Sequence, residues 1–157
     1  MIDIVFAEQN EEEFISMAER LGYDSLCFYY SQMKPAYTKH LESLRKKTKL
    51  KLFTASAVSG KTKPDMVIVK ISEPRQWLEG RKADIVYGVE QSKERDTIKQ
   101  KKSGLNQVLC SLARQKGKII GFDFSSILKP SGQKRVVMMG RMMQNIQLCR
   151  KYKVETC

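Results

Sequence analysis

Six short runs of consecutive apolar residues punctuate the chain: Ile2 to Phe6, Ser25 to Tyr30, Leu50 to Val58, Met66 to Ile71, Ala83 to Val89 and Lys118 to Phe124. Runs that do not alternate with polar residues suit strands covered on both faces, as in a parallel sheet wrapped by helices. Stretches of helical period lie between several of them. Glu11 to Leu21 sets Phe14, Ile15, Ala18 and Leu21 on one stripe with carboxylates outside, and Gly22 stands where a helix C-cap favours glycine. Pro35 to Arg45 reads as a second helix, and Leu105, Val108, Leu109, Leu112 and Ala113 line a third that Gly117 closes. A fourth runs from Gln133 to Tyr152. There Val136, Met139, Met143 and Ile146 fall on one face and are expected to pack inward, with Arg135, Arg141, Met142 and Asn145 turned elsewhere. Gly140 weakens that helix by about 1 kcal/mol relative to Ala, which predicts a close approach at that position.

Strands alternating with helices predict an α/β fold, a barrel-like parallel sheet of the TIM-barrel type in one domain over residues 1–157. A complete barrel of this type takes roughly 250 residues. The chain is therefore expected to be short of the last strands, with a seventh beginning at Val154 to Cys157. The open edge of such a sheet is expected to be covered by something. Ser59 to Pro64 and Gln91 to Lys102 are the stretches expected to be mobile.

Charge sharpens the picture. Lys plus Arg number 29 against 17 Asp plus Glu, a net charge of +12 suited to a polyanionic partner. Residues 1–30 hold seven acids and one base, whereas residues 97–154 hold thirteen bases and one acid, Asp123. Such segregation points to a surface shaped for phosphates. The four cysteines contain no C-x-x-C pair and read as small reduced hydrophobes, without a disulfide or zinc framework. No apolar run approaches the 18 or so residues of a membrane span, and the opening residues lack a signal-peptide pattern, so an internal, soluble, cytoplasmic protein is expected (nuclear in a eukaryote).

Three motifs carry candidate chemistry. Ser59-Gly60-Lys61-Thr62 imitates the end of a phosphate-binding P-loop, but Ala55 replaces its first glycine and Pro64 blocks the helix that must follow. His40, the single histidine, reads as an exposed or capping residue. A histidine-rich metal cluster cannot be built from it, and acids near strand ends are few: Asp3, Glu90 and Asp123. The strongest signal is Lys99-Gln-Lys-Lys-Ser-Gly-Leu-Asn106. A basic loop, Ser103 as a helix cap, Gly104 open to a ligand and the free N–H groups of a helix start would together make an anion site. The plainer reading is that Ser103 only caps and the lysines are solvated.

Three ordered blocks, Ser103 to Ala113, Ile120 to Leu128 and Gly140 to Val154, resemble the ribonuclease P protein component 3 family (the thirty-kilodalton subunit) of archaea and eukaryotes. The resemblance covers about residues 83–154; earlier residues match only in their strand and helix rhythm. It implies a barrel-like fold of the polymerase and histidinol phosphatase group without the metal ligands of its enzymatic cousins. It also implies an RNA-binding subunit of the ribonucleoprotein that removes the 5′ leader from precursor tRNA. Catalytic Mg2+ would then sit on the RNA subunit, with no cofactor or catalytic residue on this chain. The implied partners are ribonuclease P RNA, precursor tRNA within the holoenzyme, and a Pop5-type ribonuclease P protein. Gln107 departs from the family, where many relatives carry His, and relatives continue through further strands. On this reading the phosphate contacts are expected from Lys99, Lys101, Lys102, Ser103, Asn106, Lys129, Lys134, Arg135 and Arg141. A metal-dependent phosphoesterase using carboxylates and His40, or a general RNA-binding module, are the alternatives.

Overall fold

A computed structural model of the chain describes residues 2–57, 62–71, 83–92, 94–97 and 101–157. The imitation P-loop at Ser59 to Lys61 and the candidate Lys99 lie outside them. The contacts divide the chain into two compact units, residues 1–68 and 69–157.

In the first unit, β1 (Ile2–Phe6) pairs with β2 (Ser25–Tyr30), and β2 with β3 (Lys51–Ser56), all parallel and in register from Ile2 opposite Ser25 and Ser25 opposite Lys51. β4 (Met66–Lys70) starts beside the end of β3, with Ala55 opposite Met66. Helices α1 (Glu11–Arg20) and α2 (Pro35–Arg45) make the parallel crossovers. Ile15 and Ala18 from α1 and Leu41 and Leu44 from α2 join Leu26, Phe28, Tyr30 and Leu52 in one buried cluster. The unbroken apolar runs of β2 and β3 follow from that covering. Three glutamates in the first turn of α1 complement its positive end, and Gly22 leaves the helix at φ +74°, as its position predicted.

In the second unit the strand order is again chain order: β4, then β5 (Ile85–Tyr87), then β6 (Ile119–Gly121). Ile71 N–H donates to the Tyr87 carbonyl at 2.9 Å, and β5 runs parallel to β6 with Val86 opposite Ile120. Thr156 makes an isolated parallel bridge to Ile120, at the place where a seventh strand was expected to begin. Among the described residues, α3 (Gln107–Gln115) and, after a single turn α4 (Ser125–Leu128), the long α5 (Gly132–Tyr152) flank these strands. The α/β, TIM-barrel-like expectation is met in the parallel strands and their helices.

The face of α5 is not the expected one. Arg141, Met142, Asn145 and Cys149 are its buried residues, while Val136, Met139 and Met143 are 68%, 45% and 60% exposed. The reason lies in what the helix covers. Part of what it packs on is irregular backbone whose carbonyls need donors, so an arginine and an asparagine turn inward beside Met142 and Cys149. Asn145 Nδ2 donates to the Ser103 carbonyl at 2.7 Å. Gly140 has the close neighbour its sequence position predicted: a Cβ there would lie 2.9 Å from Lys101 Nζ.

Candidate nucleic-acid interface

Arg141 organises the segment that leads into the candidate bases Lys101 and Lys102. Its Nε donates to Asp96 Oδ1 at 2.9 Å, Nη1 to the Glu90 and Ser92 carbonyls at 3.2 and 2.8 Å, and Nη2 to the Glu94 carbonyl at 2.5 Å. Asp96 in turn accepts from Lys102 N–H at 2.7 Å. Arg141 is 6% exposed and its guanidinium is committed to the protein, so it is not the outward phosphate contact expected from the helical pattern. Hydrogen bonding to Arg141, helped by Lys102 N–H, holds the Asp96 carboxyl below its ordinary value despite partial burial. The stretch Gln91 to Lys102, expected to be mobile, is thus tied down at its described residues.

The helix start differs from expectation in three particulars. Asn106, not Ser103, caps α3, its Oδ1 accepting from Leu109 N–H at 2.9 Å. Ser103 is 1% exposed, and its Oγ has no hydrogen-bond partner. Gly104 does sit at φ +87° as a close approach requires, but the space belongs to protein: an added Cβ would be 1.9 Å from the Val89 carbonyl oxygen. The backbone there is packed, not open to a ligand.

What remains at the surface is a set of lysines. Lys101, Lys129 and Lys134 are exposed, as are Asn106 and Arg135. Lys102 is half-buried, its Nζ 3.1 Å from Glu94 Oε2. Arg135 caps carbonyls at the end of α4, donating to Leu128 at 3.0 Å and Pro130 at 2.8 Å, which holds its guanidinium across that turn.

A cleft of about 340 Å3 opens beside these bases, lined by Lys70, Gln91, Ser92, Asp123, Ser125, Ser126, Lys129, Met138 and Arg141. Lys70 is the last residue of β4, Gln91 and Ser92 follow β5, and Asp123 follows β6, so the cleft lies at the carboxyl ends of parallel strands. Lys70 was not singled out by its sequence context, although its place at the end of an apolar run is the available signal. Glu90 is fully buried, and among the described residues no donor meets either carboxyl oxygen in hydrogen-bonding geometry. Burial pushes its pKa up, the neighbouring Asp123 charge adds to this, and its own N–H, Lys70 and Gln91 oppose it.

The residues of the phosphoesterase alternative are separately engaged. His40 Nε2 lies 3.9 Å from Glu11 Oε2, and Glu11 Oε1 accepts from the Tyr30 hydroxyl at 2.9 Å. Asp3 Oδ1 accepts from Ile4 N–H, and Asp123 Oδ1 accepts from the amide and hydroxyl of Ser125. Among the described residues no three His, Cys, Asp or Glu side chains come together as a metal site.

No family model matches the chain. A sequence relative, ribonuclease P protein component 3 of Methanosarcina mazei, is 41% identical over 54 residues, a stretch that is 34% of this chain and 23% of the relative. Among solved structures, a chain in the cryo-EM structure of archaeal ribonuclease P with mature tRNA matches 99% of this chain and 71% of its own length, with a TM-score of 0.79 at 18% identity. The fold is therefore shared over nearly all of this chain, and the sequence likeness over one third of it bears out the resemblance to ribonuclease P protein component 3.

Proposed function

We propose that this chain is an RNA-binding subunit of ribonuclease P that supports removal of the 5′ leader from precursor tRNA. The observation that carries the proposal is that two separate likenesses, one of sequence and one of fold, converge on ribonuclease P. The charge agrees, because the second unit presents exposed lysines on a rigid frame. Lys101, Lys102, Lys129 and Lys134 make the phosphate contacts, with Asn106 beside them; Arg141 and Ser103 act from beneath by fixing the loop. Contacts of this kind position and neutralise the RNA backbone and do not read bases. The catalytic Mg2+ belongs to the RNA subunit, and a Pop5-type protein is the partner that completes the assembly.

The test is binding to ribonuclease P RNA across a range of salt. Each lysine that neutralises a phosphate adds nearly one unit to the slope of log K against log salt. Lys101→Ala combined with Lys102→Ala should lower that slope by about two units. An unchanged slope removes this loop from the interface.

A further inference from the structure

We propose that the cleft at the ends of β4, β5 and β6 binds a phosphate group, with Lys70 and Lys129 as its cationic walls. This site shares Lys129 with the RNA contacts proposed above but not the Lys101–Lys102 loop, and it does not depend on the assignment to ribonuclease P. Open α/β sheets bind ligands outside the carboxyl ends of their strands, where the loops diverge. The cleft has that position, and its volume of about 340 Å3 falls at the small end of the range for ligand sites.

Lys70 is placed there by the backbone. Gly88 adopts φ +82°, and a Cβ at Gly88 would come within 3.2 Å of Lys70 Cγ and 3.4 Å of Cε. The lysine stem lies across the glycine and is held along the end of β5 instead of sweeping freely through solvent. Among the described residues neither Lys70 nor Lys129 has an ion pair that would compete for its ammonium.

Of the serine hydroxyls in the lining, those of Ser125 and Ser126 donate to Asp123, and that of Ser92 is left for an anion. Ser92 Oγ accepts from Glu94 N–H at 3.3 Å and keeps its own proton. Two carboxyls stand against an anion, and each is muted. Asp123 turns Oδ1 to the amide and hydroxyl of Ser125, at 3.0 and 2.6 Å. Glu90 lies fully buried beneath, where desolvation favours its neutral form. Among the lining side chains Lys70 and Lys129 stand against Asp123 as the one carboxylate, and charge-assisted hydrogen bonds from two ammonium groups suit a phosphate monoester or diester.

The ligand is either free phosphate or the phosphate of a nucleotide, and the experiment separates them. The full chain, labelled with 15N, is titrated with inorganic phosphate and, separately, with a nucleoside 5′-monophosphate. Saturable shifts of the Ser92, Ser125, Ser126 and Lys129 amides are expected with both if phosphate alone is recognised, and at lower concentration with the nucleotide if the sugar or base is also held. Lys70→Ala and Lys129→Ala, both at exposed positions, should each raise the dissociation constant about tenfold, the loss of one charge-assisted hydrogen bond. Lys116→Ala, an exposed lysine outside the lining and outside the proposed RNA contacts, should leave it unchanged. Absence of saturable shifts at these amides, or equal weakening by all three substitutions, overturns the proposal. Loss of RNA binding by the Lys101 and Lys102 substitutions with these titrations intact would leave it standing.

Discussion

Replacing Arg141 by methionine keeps most of the buried stem and removes the charge, and with it the donors that hold residues 90–96. Four acceptors lose their partner: the Asp96 carboxylate and the carbonyls of Glu90, Ser92 and Glu94. Breaking a buried charge pair from one side destabilises by about 3–5 kcal/mol, because the other partner stays desolvated. Here the Arg141 side chain is 7% exposed but Asp96 is 23% exposed, so water can partly recover the carboxylate and the lower end, about 3 kcal/mol, applies. For a chain of this length each kcal/mol shifts Tm by about 2–4 °C, giving a loss of about 10 °C. Arg141→Lys should recover little, since a single ammonium cannot span acceptors set out for a planar fork. The acid limb supplies a second readout. The Asp96 pKa is lowered in the folded chain, chiefly by its hydrogen bond to Arg141, so its stabilisation is present above the ordinary carboxylate range and is lost as pH falls through the folded value. In Arg141→Met this part of the acid sensitivity should vanish. Thermal melts of the parent and both variants from pH 3 to 7 make the measurement. A methionine variant within about 0.5 kcal/mol of the parent, the range of an ordinary surface change, would refute the reasoning.

Two neighbouring methionines should behave oppositely: Met142→Ala, at a buried position, should lower stability by about 2–5 kcal/mol, and Met143→Ala, at an exposed one, by less than about 1 kcal/mol, as read by urea unfolding. Glu90→Gln should stabilise the chain progressively as pH rises above the ordinary carboxylate range. The buried acid has a raised folded pKa, so it retains full stability below its unfolded pKa and loses it as pH climbs through the folded value, whereas the amide does not titrate. A parent and variant whose stability difference is the same at pH 4 and pH 8 would contradict this.

The parallel strands were legible because their apolar runs are continuous, and α1 and α3 because their stripes and terminal glycines agree. On α5 the same logic failed. Hydrophobic period identifies a stripe but not what faces it, and here part of the covered surface is a stretch of carbonyls that selects Arg141 and Asn145. Gly104 shows a related ambiguity: the sequence announces a close approach, while only the fold reveals that the Val89 carbonyl makes it. Asn106 could have been recognised as the cap, since it directly precedes the apolar-periodic residues. The cleft was out of reach because Lys70 and Lys129 stand 59 positions apart (129 − 70) and only the ordering of β4, β5 and β6 unites them.

The central claim is that this chain helps a catalytic RNA by neutralising phosphates rather than by forming an active site. Single-turnover cleavage of precursor tRNA by the cognate RNA and partner proteins, with and without this chain across a range of magnesium, tests it most directly. The chain should lower the magnesium concentration needed for cleavage, high magnesium should partly replace it, and folded variants at Asp3, His40 or Asp123 should leave the chemical step unchanged. Cleavage indifferent to the chain at every magnesium concentration, or a collapse of the rate at saturating magnesium in one of those variants, would contradict the account.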